Sequence, residues 1–357
     1  MKGDSAISSW QLAVLLFLSR ITYFFLAEPR SEGPQALTAA IWIPISILAN
    51  FLLLLPAYLL LQKNKGKGLL DIAAERWGRL SLIFPAGFLL FSVCVLVQTA
   101  CSFSYFLTST AYPQSSPWLF ILLIFGVAGY AASMGYEPTA RFGSFVFVAL
   151  SAALLFVCAS LWPQAQWEFL RPPVYDGWQS QLQLFVRLTL GNVETAALLF
   201  LLPAVAKNKG GVFWRWGILS VVVLDGIILF AAAVLGDYAQ TQRFPFYAVT
   251  KIAELSIFQR LDSLHVALWV FMTLVRLALF LEVGGKSLAR LLPSKVSRYA
   301  ISICAAASAL LAGCLTRWPY ALERVGNLFA GGGPVLLLTV LLPLLLLWSK
   351  RKGEAGQ

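Results

Sequence analysis

The chain has 357 residues, of which 59% are hydrophobic and only 12% charged, and its mean hydropathy is +0.77. A soluble domain carries about a quarter charged residues, so this composition excludes a soluble globular protein and indicates a polytopic membrane protein. The formal net charge of +11 fits lysines and arginines that hold loops on one side of a bilayer, and no nucleic-acid partner is expected.

A spanning helix needs about 20 mostly apolar residues, and ten stretches qualify: about 9–27, 36–61, 83–110, 117–134, 142–162, 181–203, 213–236, 262–284, 297–316 and 331–348. The first has no small-residue cleavage site after it, so it reads as a span and not as a signal peptide. It carries Ser19, Arg20 and Thr22 within FLSRITYFFLAEP, and hydroxyl side chains can re-satisfy backbone groups where a membrane helix breaks. Next, LLDIAAERWGRL spaces Leu69, Ile72, Ala73, Trp77 and Leu80 as one face of a short amphipathic helix on the membrane surface. The cysteines (Cys94, Cys101, Cys158, Cys304 and Cys314) sit in apolar stretches without C-x-x-C spacing, and there is one histidine, His265. Disulfides, a metal site and a cofactor are not expected.

The segment 163–180, with WPQAQWEFLRPPVYDG, reads as an external loop. The sixth span, LFVRLTLGNVETAALLFLLP, holds Arg187, Gly191, Asn192 and Glu194. In a regular helix Arg187, Gly191 and Glu194 share one face. Gly-Asn at mid-depth is also a place for the helix to unwind and offer backbone groups to a ligand; the alternative is a polar helix–helix contact. Asp225 stands alone in VVVLDGIILF, either as a buried partner for Arg20, Arg187 or Arg276 or as a proton or cation site. Before the eighth span, FPFYAVTKIAEL reads as a short helix lying outside. In the eighth, Asp262, His265, Trp269, Met272 and Arg276 follow helical spacing, so this face is expected to turn into the bundle, with Asp262 as an N-cap.

Numbering the loops from an internal N-terminus puts Lys2, Lys63, Lys65, Lys67, Arg76, Arg79, Arg141, Lys207, Lys209, Arg215, Lys286, Arg290, Lys295, Arg298, Lys350, Arg351 and Lys352 on the cytoplasmic side. Arg30, Arg171, Arg243, Lys251, Arg260, Arg317 and Arg324 fall on the other. This bias places both termini in the cytoplasm. Residues 1–357 are then a single transmembrane domain. If its halves are an inverted repeat (about 9–162 and 181–316, with 331–348 beyond), spans one and six correspond. Polar interruptions at matching positions point to a solute site at the midplane.

Several segments carry a family resemblance: ISSWQLAVLLFLSRI; GYEPTAR, with Gly135, Glu137 and Arg141; GNVETAALLFLLPAVAKNKG; and RFPFYAVTKIAELSIFQRLDSLHVALWVF, with Pro245 and the Gln259-Arg260-x-Asp262 run. Together they resemble the spore germination permease family, the B subunit of bacterial spore germinant receptors, over about residues 7–350. The resemblance implies an all-α, ten-helix, LeuT-like 5+5 inverted repeat of the amino acid–polyamine–organocation superfamily, with helices 1 and 6 discontinuous. It implies residence in the spore inner membrane with an A subunit and a lipoprotein C subunit, and sensing of a small-molecule germinant (an amino acid, sugar or nucleoside). Carried over by position, Ser19, Arg20, Ile21, Thr22, Leu190, Gly191, Asn192 and Glu194 would line the site, with Gln98 and Cys101 joining by depth. Where the family usually has glycine after Arg20, this chain has ITYFF.

A ligand-sensing subunit is therefore the first expectation and an ion-coupled secondary transporter of an amino acid or related solute the second. A scaffold without a solute site is a third. An enzyme is not expected, since the sequence shows no nucleophile–histidine arrangement, metal cluster or phosphate loop.

Overall fold

A computed structural model describes residues 7–26, 36–64, 66–170, 178–242, 244–253, 261–318, 324, 326–327 and 332–349. These are helical apart from turns and one isolated parallel bridge between Ile7 and Val205. In chain order the helices are α1 Ser9–Leu26, α2 Ala36–Lys63, α3 Leu69–Trp77, α4 Ile83–Thr110, α5 Pro117–Met134, α6 Tyr136–Leu161, α7 Trp178–Leu190, α8 Glu194–Leu201, α9 Lys209–Leu235, α10 Tyr238–Thr241, α11 Pro245–Ile252, α12 Leu261–Leu291, α13 Ser294–Ser297, α14 Ala300–Leu315 and α15 Gly333–Trp348. Among the described residues seven helical runs are long and apolar enough to cross a bilayer; α1, α14 and α15 are shorter apolar helices.

Apolar residues on all sides of a helix are stable only if it faces lipid, protein or both. The outer helices divide their surface: α2 buries Ile43, Ile47 and Leu54 and exposes Leu48, Leu52 and Leu55. By contrast, α1 and α12 form the centre. Leu12 to Leu18 of α1 are all buried, and α12 packs against α1, α4, α5, α6, α11 and α14. Any charge half-way along either helix therefore meets protein and not lipid.

One end of the bundle gathers the groups expected on the cytoplasmic side. Arg215 donates to Ser9 Oγ at the start of α1, and Arg76 of α3 donates to the Leu346 and Ser349 carbonyls at the end of α15. Arg290 pairs with Asp71, and Lys286 lies over the Tyr136 ring. The chain's first and last described segments thus lie at one end.

Three expectations are corrected. First, α1 runs unbroken from Ser9 to Leu26. It contains no glycine or proline, and the Thr22 hydroxyl is spent within the helix, on the Leu18 carbonyl one turn back, 2.6 Å away. The sixth span does break, between Leu190 and Glu194. Second, α3 buries Leu69, Ile72 and Ala73 as expected, and Leu70 besides, but Leu80 is exposed. The helix ends at Trp77 and tightens into a 3-10 turn, Gly78–Leu82, which rotates Leu80 off the apolar face. Third, Arg187 is exposed and not part of a buried charge network, because the break intervenes between it and Glu194. The short helix expected over FPFYAVTKIAEL is present as α11, which buries Phe246, Tyr247, Ala248, Val249 and Thr250 against its neighbours.

Candidate functional site

The break is built by Gly191 and Asn192. Gly191 N–H makes the last helical bond, to the Arg187 carbonyl at 2.9 Å, and a Cβ added at Gly191 would lie 2.4 Å from that oxygen. Any larger residue would force the helix end open. The chain then turns through Asn192 and Val193 and restarts at Glu194, which is fully buried.

Around Glu194 the structure assembles a charged cluster from four segments. Arg276, half-way along α12 and 3% exposed, donates to Glu194 Oε1. The same guanidinium donates to the Ser19 carbonyl at 2.6 Å, to Ser19 Oγ at 2.8 Å and, through Nε, to Thr99 Oγ1 of α4 at 3.0 Å. Ser19 Oγ in turn donates to Glu194 Oε1 at 2.8 Å. Arg276 is therefore held by oxygens from α1, α4 and α8, the geometry in which a buried ion pair is well compensated.

Arg20 is placed differently. It too is 3% exposed, but its Nη1 stands 3.8 Å from Glu194 Oε2, beyond hydrogen-bond length. Its Nη2 donates to the Leu188 carbonyl at 3.2 Å, and its guanidinium lies 5.0 Å from the Phe24 ring centroid. Among the described residues Arg20 Nε, Glu194 Oε2, Thr189 Oγ1 and both amide atoms of Asn192 are buried without a hydrogen-bond partner. Buried polar groups are nearly always satisfied, so these unsatisfied atoms on and beside the helix break single it out as the candidate site.

Other candidates fall away from the cluster. Ile21 is in the apolar core and Thr22 is occupied within its own helix. On α4 it is Thr99, not Gln98 or Cys101, that reaches Arg276; Cys101 Sγ bonds the Ala312 carbonyl at 3.4 Å. Each helical residue turns the side chain by about 100°, so depth alone cannot select among 98, 99 and 101. Leu190 ends α7 at the break. Asp225 of α9 is half-buried, pairs with no arginine, and its Oδ1 has no hydrogen-bond partner among the described residues.

The α12 face carries His265, Trp269, Met272 and Arg276, all buried. Trp269 stacks on Phe25, with centroids 5.5 Å apart, and lies 4.0 Å from Phe106; His265 contacts Phe246 and Trp269 at 5.1 and 4.8 Å. This turn of α12 is thus packed in aromatic rings against α1, α4 and α11. Glu282, two turns further along α12, is a buried carboxylate that the sequence reading passed over; it pairs with Lys286 at 3.6 Å. An acid followed four residues later by a lysine was the available signal.

The motif residues have structural places. Gly135 joins α5 to α6 with φ 97, a conformation that L side chains rarely adopt. Glu137 and Arg141 form an exposed i,i+4 pair, and Pro245 opens α11 at its first turn. Gln259, Arg260 and the Asp262 side chain lie outside the described residues. No group of three His, Cys, Asp or Glu side chains gathers as a metal site among the described residues.

With this geometry in place, the likenesses to known proteins are informative. No curated protein matches the chain. Among solved structures it is similar to a Na+-coupled sialic acid symporter in a substrate-bound, outward-open state, with a TM-score of 0.69 at 14% identity, covering 93% of this chain and 78% of that one. The likeness shows the fold: LeuT-like and all-helical. The family model for spore germination proteins, the spore permeases, matches residues 6–315. An integral membrane chain with that match over most of its length and with this fold belongs to the spore germination permease family.

Proposed function

We propose that this chain is the solute-sensing membrane subunit of a spore germinant receptor. A small solute (an amino acid, sugar or nucleoside) binds where α1, α4, the α7–α8 break and α12 meet, and binding is passed to an A subunit and a lipoprotein C subunit in the spore inner membrane, with both termini facing the spore core. The division into repeats of about 9–162 and 181–316 belongs to this reading. The observation that carries it is the break at Gly191–Val193, which among the described residues leaves the buried Asn192 amide and Glu194 Oε2 unsatisfied, with Glu194 beside two buried arginines. A solute can drive signalling only through its difference in affinity for two arrangements of these helices. The loose 3.8 Å contact between Arg20 and Glu194 is the one best suited to change between them. Spores carrying Glu194→Gln or Arg20→Ala, with the protein present at wild-type level, are expected to lose or shift their germinant response. An unchanged response in both would refute this site.

A second reading is a secondary transporter, favoured by the likeness to a coupled symporter and by the buried Glu194. Uptake of solute into proteoliposomes holding this chain alone would support it, whereas binding without flux would favour the sensor.

A further inference from the structure

We infer that the solute is recognised through a single negatively charged group, a carboxylate, received by Arg20; this rests on the solute-binding reading above. The cluster holds two guanidiniums and one carboxylate, all at most 3% exposed, and among the described residues no other acidic group lies within ion-pair distance of Arg20 or Arg276. One positive charge is left over in a region where unpaired charge is costly.

The surplus belongs to Arg20 and not to Arg276. Arg276 spends its donors on Ser19, Thr99 and Glu194 Oε1. Among the described residues Arg20 makes one hydrogen bond, to the Leu188 carbonyl, and keeps a buried Nε without a partner. A guanidinium presents neighbouring N–H groups in a planar fork that matches a carboxylate, and such charge-assisted bonds are the strongest available to a buried donor. Arg20 reaches Leu188 on one side of the break and Glu194 on the other. Asn192, fully buried with both amide atoms unsatisfied, lies between those two in sequence. Its Nδ2 can donate to the same anion, and its Oδ1 can accept from a hydroxyl or ammonium on the solute.

The charge count also selects among anions. A monoanion neutralises the cluster; a phosphate dianion would overshoot; a hexose or uncharged nucleoside would leave the surplus in place. Sugars and nucleosides are therefore excluded as primary ligands unless they carry an acid group.

The test is thermal unfolding of the purified full-length chain against matched pairs of compounds: propionate and propionamide, L-lactate and lactamide, D-glucuronate and D-glucose, with inosine and inorganic phosphate added. At least one carboxylate should raise the unfolding midpoint, since a ligand bound only by the native state stabilises it. Its uncharged partner should need about ten- to a hundredfold more compound for the same shift. Arg20→Gln should abolish the carboxylate response, and Arg20→Lys should retain part of it. If Arg20→Gln does not fold, the paired compounds on the wild-type chain decide the question alone. A hexose, inosine or an uncharged partner that stabilises as well as its acid overturns the carboxylate inference while leaving solute binding intact. A panel in which nothing shifts the wild-type midpoint overturns the solute-binding reading itself, and this inference with it.

Discussion

Glu194→Gln removes one charge and almost no volume, so it isolates the electrostatics of the site. Wild-type Glu194 is fully buried, accepts from Arg276 and from Ser19 Oγ at 2.8 Å, and faces Arg20 at 3.8 Å. The glutamine can still accept from Ser19, but two buried guanidiniums then lack a counter-charge among the described residues. Breaking a buried pair from one side costs about 3–5 kcal/mol; because Arg276 keeps the Ser19 and Thr99 oxygens, a loss of about 3 kcal/mol is expected. Replacing Arg276 by methionine in the same chain removes one uncompensated charge, so the double variant should be more stable than the sum of the single losses by about 1–3 kcal/mol. Equilibrium unfolding in mixed micelles, on the wild type, both single variants and the double variant, measures the coupling. Additive losses, or a Glu194→Gln chain as stable as the wild type, would refute the ion-pair account of the cluster.

Three other outcomes follow from the same structure. Arg187 is exposed and outside the cluster, so Arg187→Ala should change unfolding free energy by less than about 0.5 kcal/mol; a loss comparable to that of Glu194→Gln would put it back in the network. Gly135→Ala meets no atom within 4 Å but must hold φ 97, so its cost is backbone strain of about 1–3 kcal/mol, read as a lower unfolding midpoint. His265 is buried in an aromatic cluster with Nε2 unpartnered among the described residues. His265→Phe should therefore be neutral or stabilising in the same unfolding assay, because it removes a buried polar atom without removing ring contact; a clear destabilisation would show that the imidazole is bonded.

The membrane class and the helical segments could be read from the sequence alone, and the break at Gly191–Asn192 was one of two readings it left open. They follow from rules that act on short stretches: a bilayer core has no water to satisfy backbone groups, so apolar runs become helices, and glycine beside asparagine weakens a helix locally. The α12 face of His265, Trp269, Met272 and Arg276 was legible for the same reason, since periodicity is a local property. Which charges meet was not. Three arginines and two acids offered several pairings; tertiary packing joined Glu194 to Arg276 and Arg20, exposed Arg187 and left Asp225 apart. Pairing depends on how helices far apart in the chain are rotated about their axes, and one residue of rotation replaces Gln98 or Cys101 by Thr99. The continuity of α1 was likewise decided by its setting. Packed on all sides and free of glycine and proline, that helix had no reason to break; Ser19 and Arg20 serve the charged cluster, while Thr22 bonds back to Leu18 within the helix.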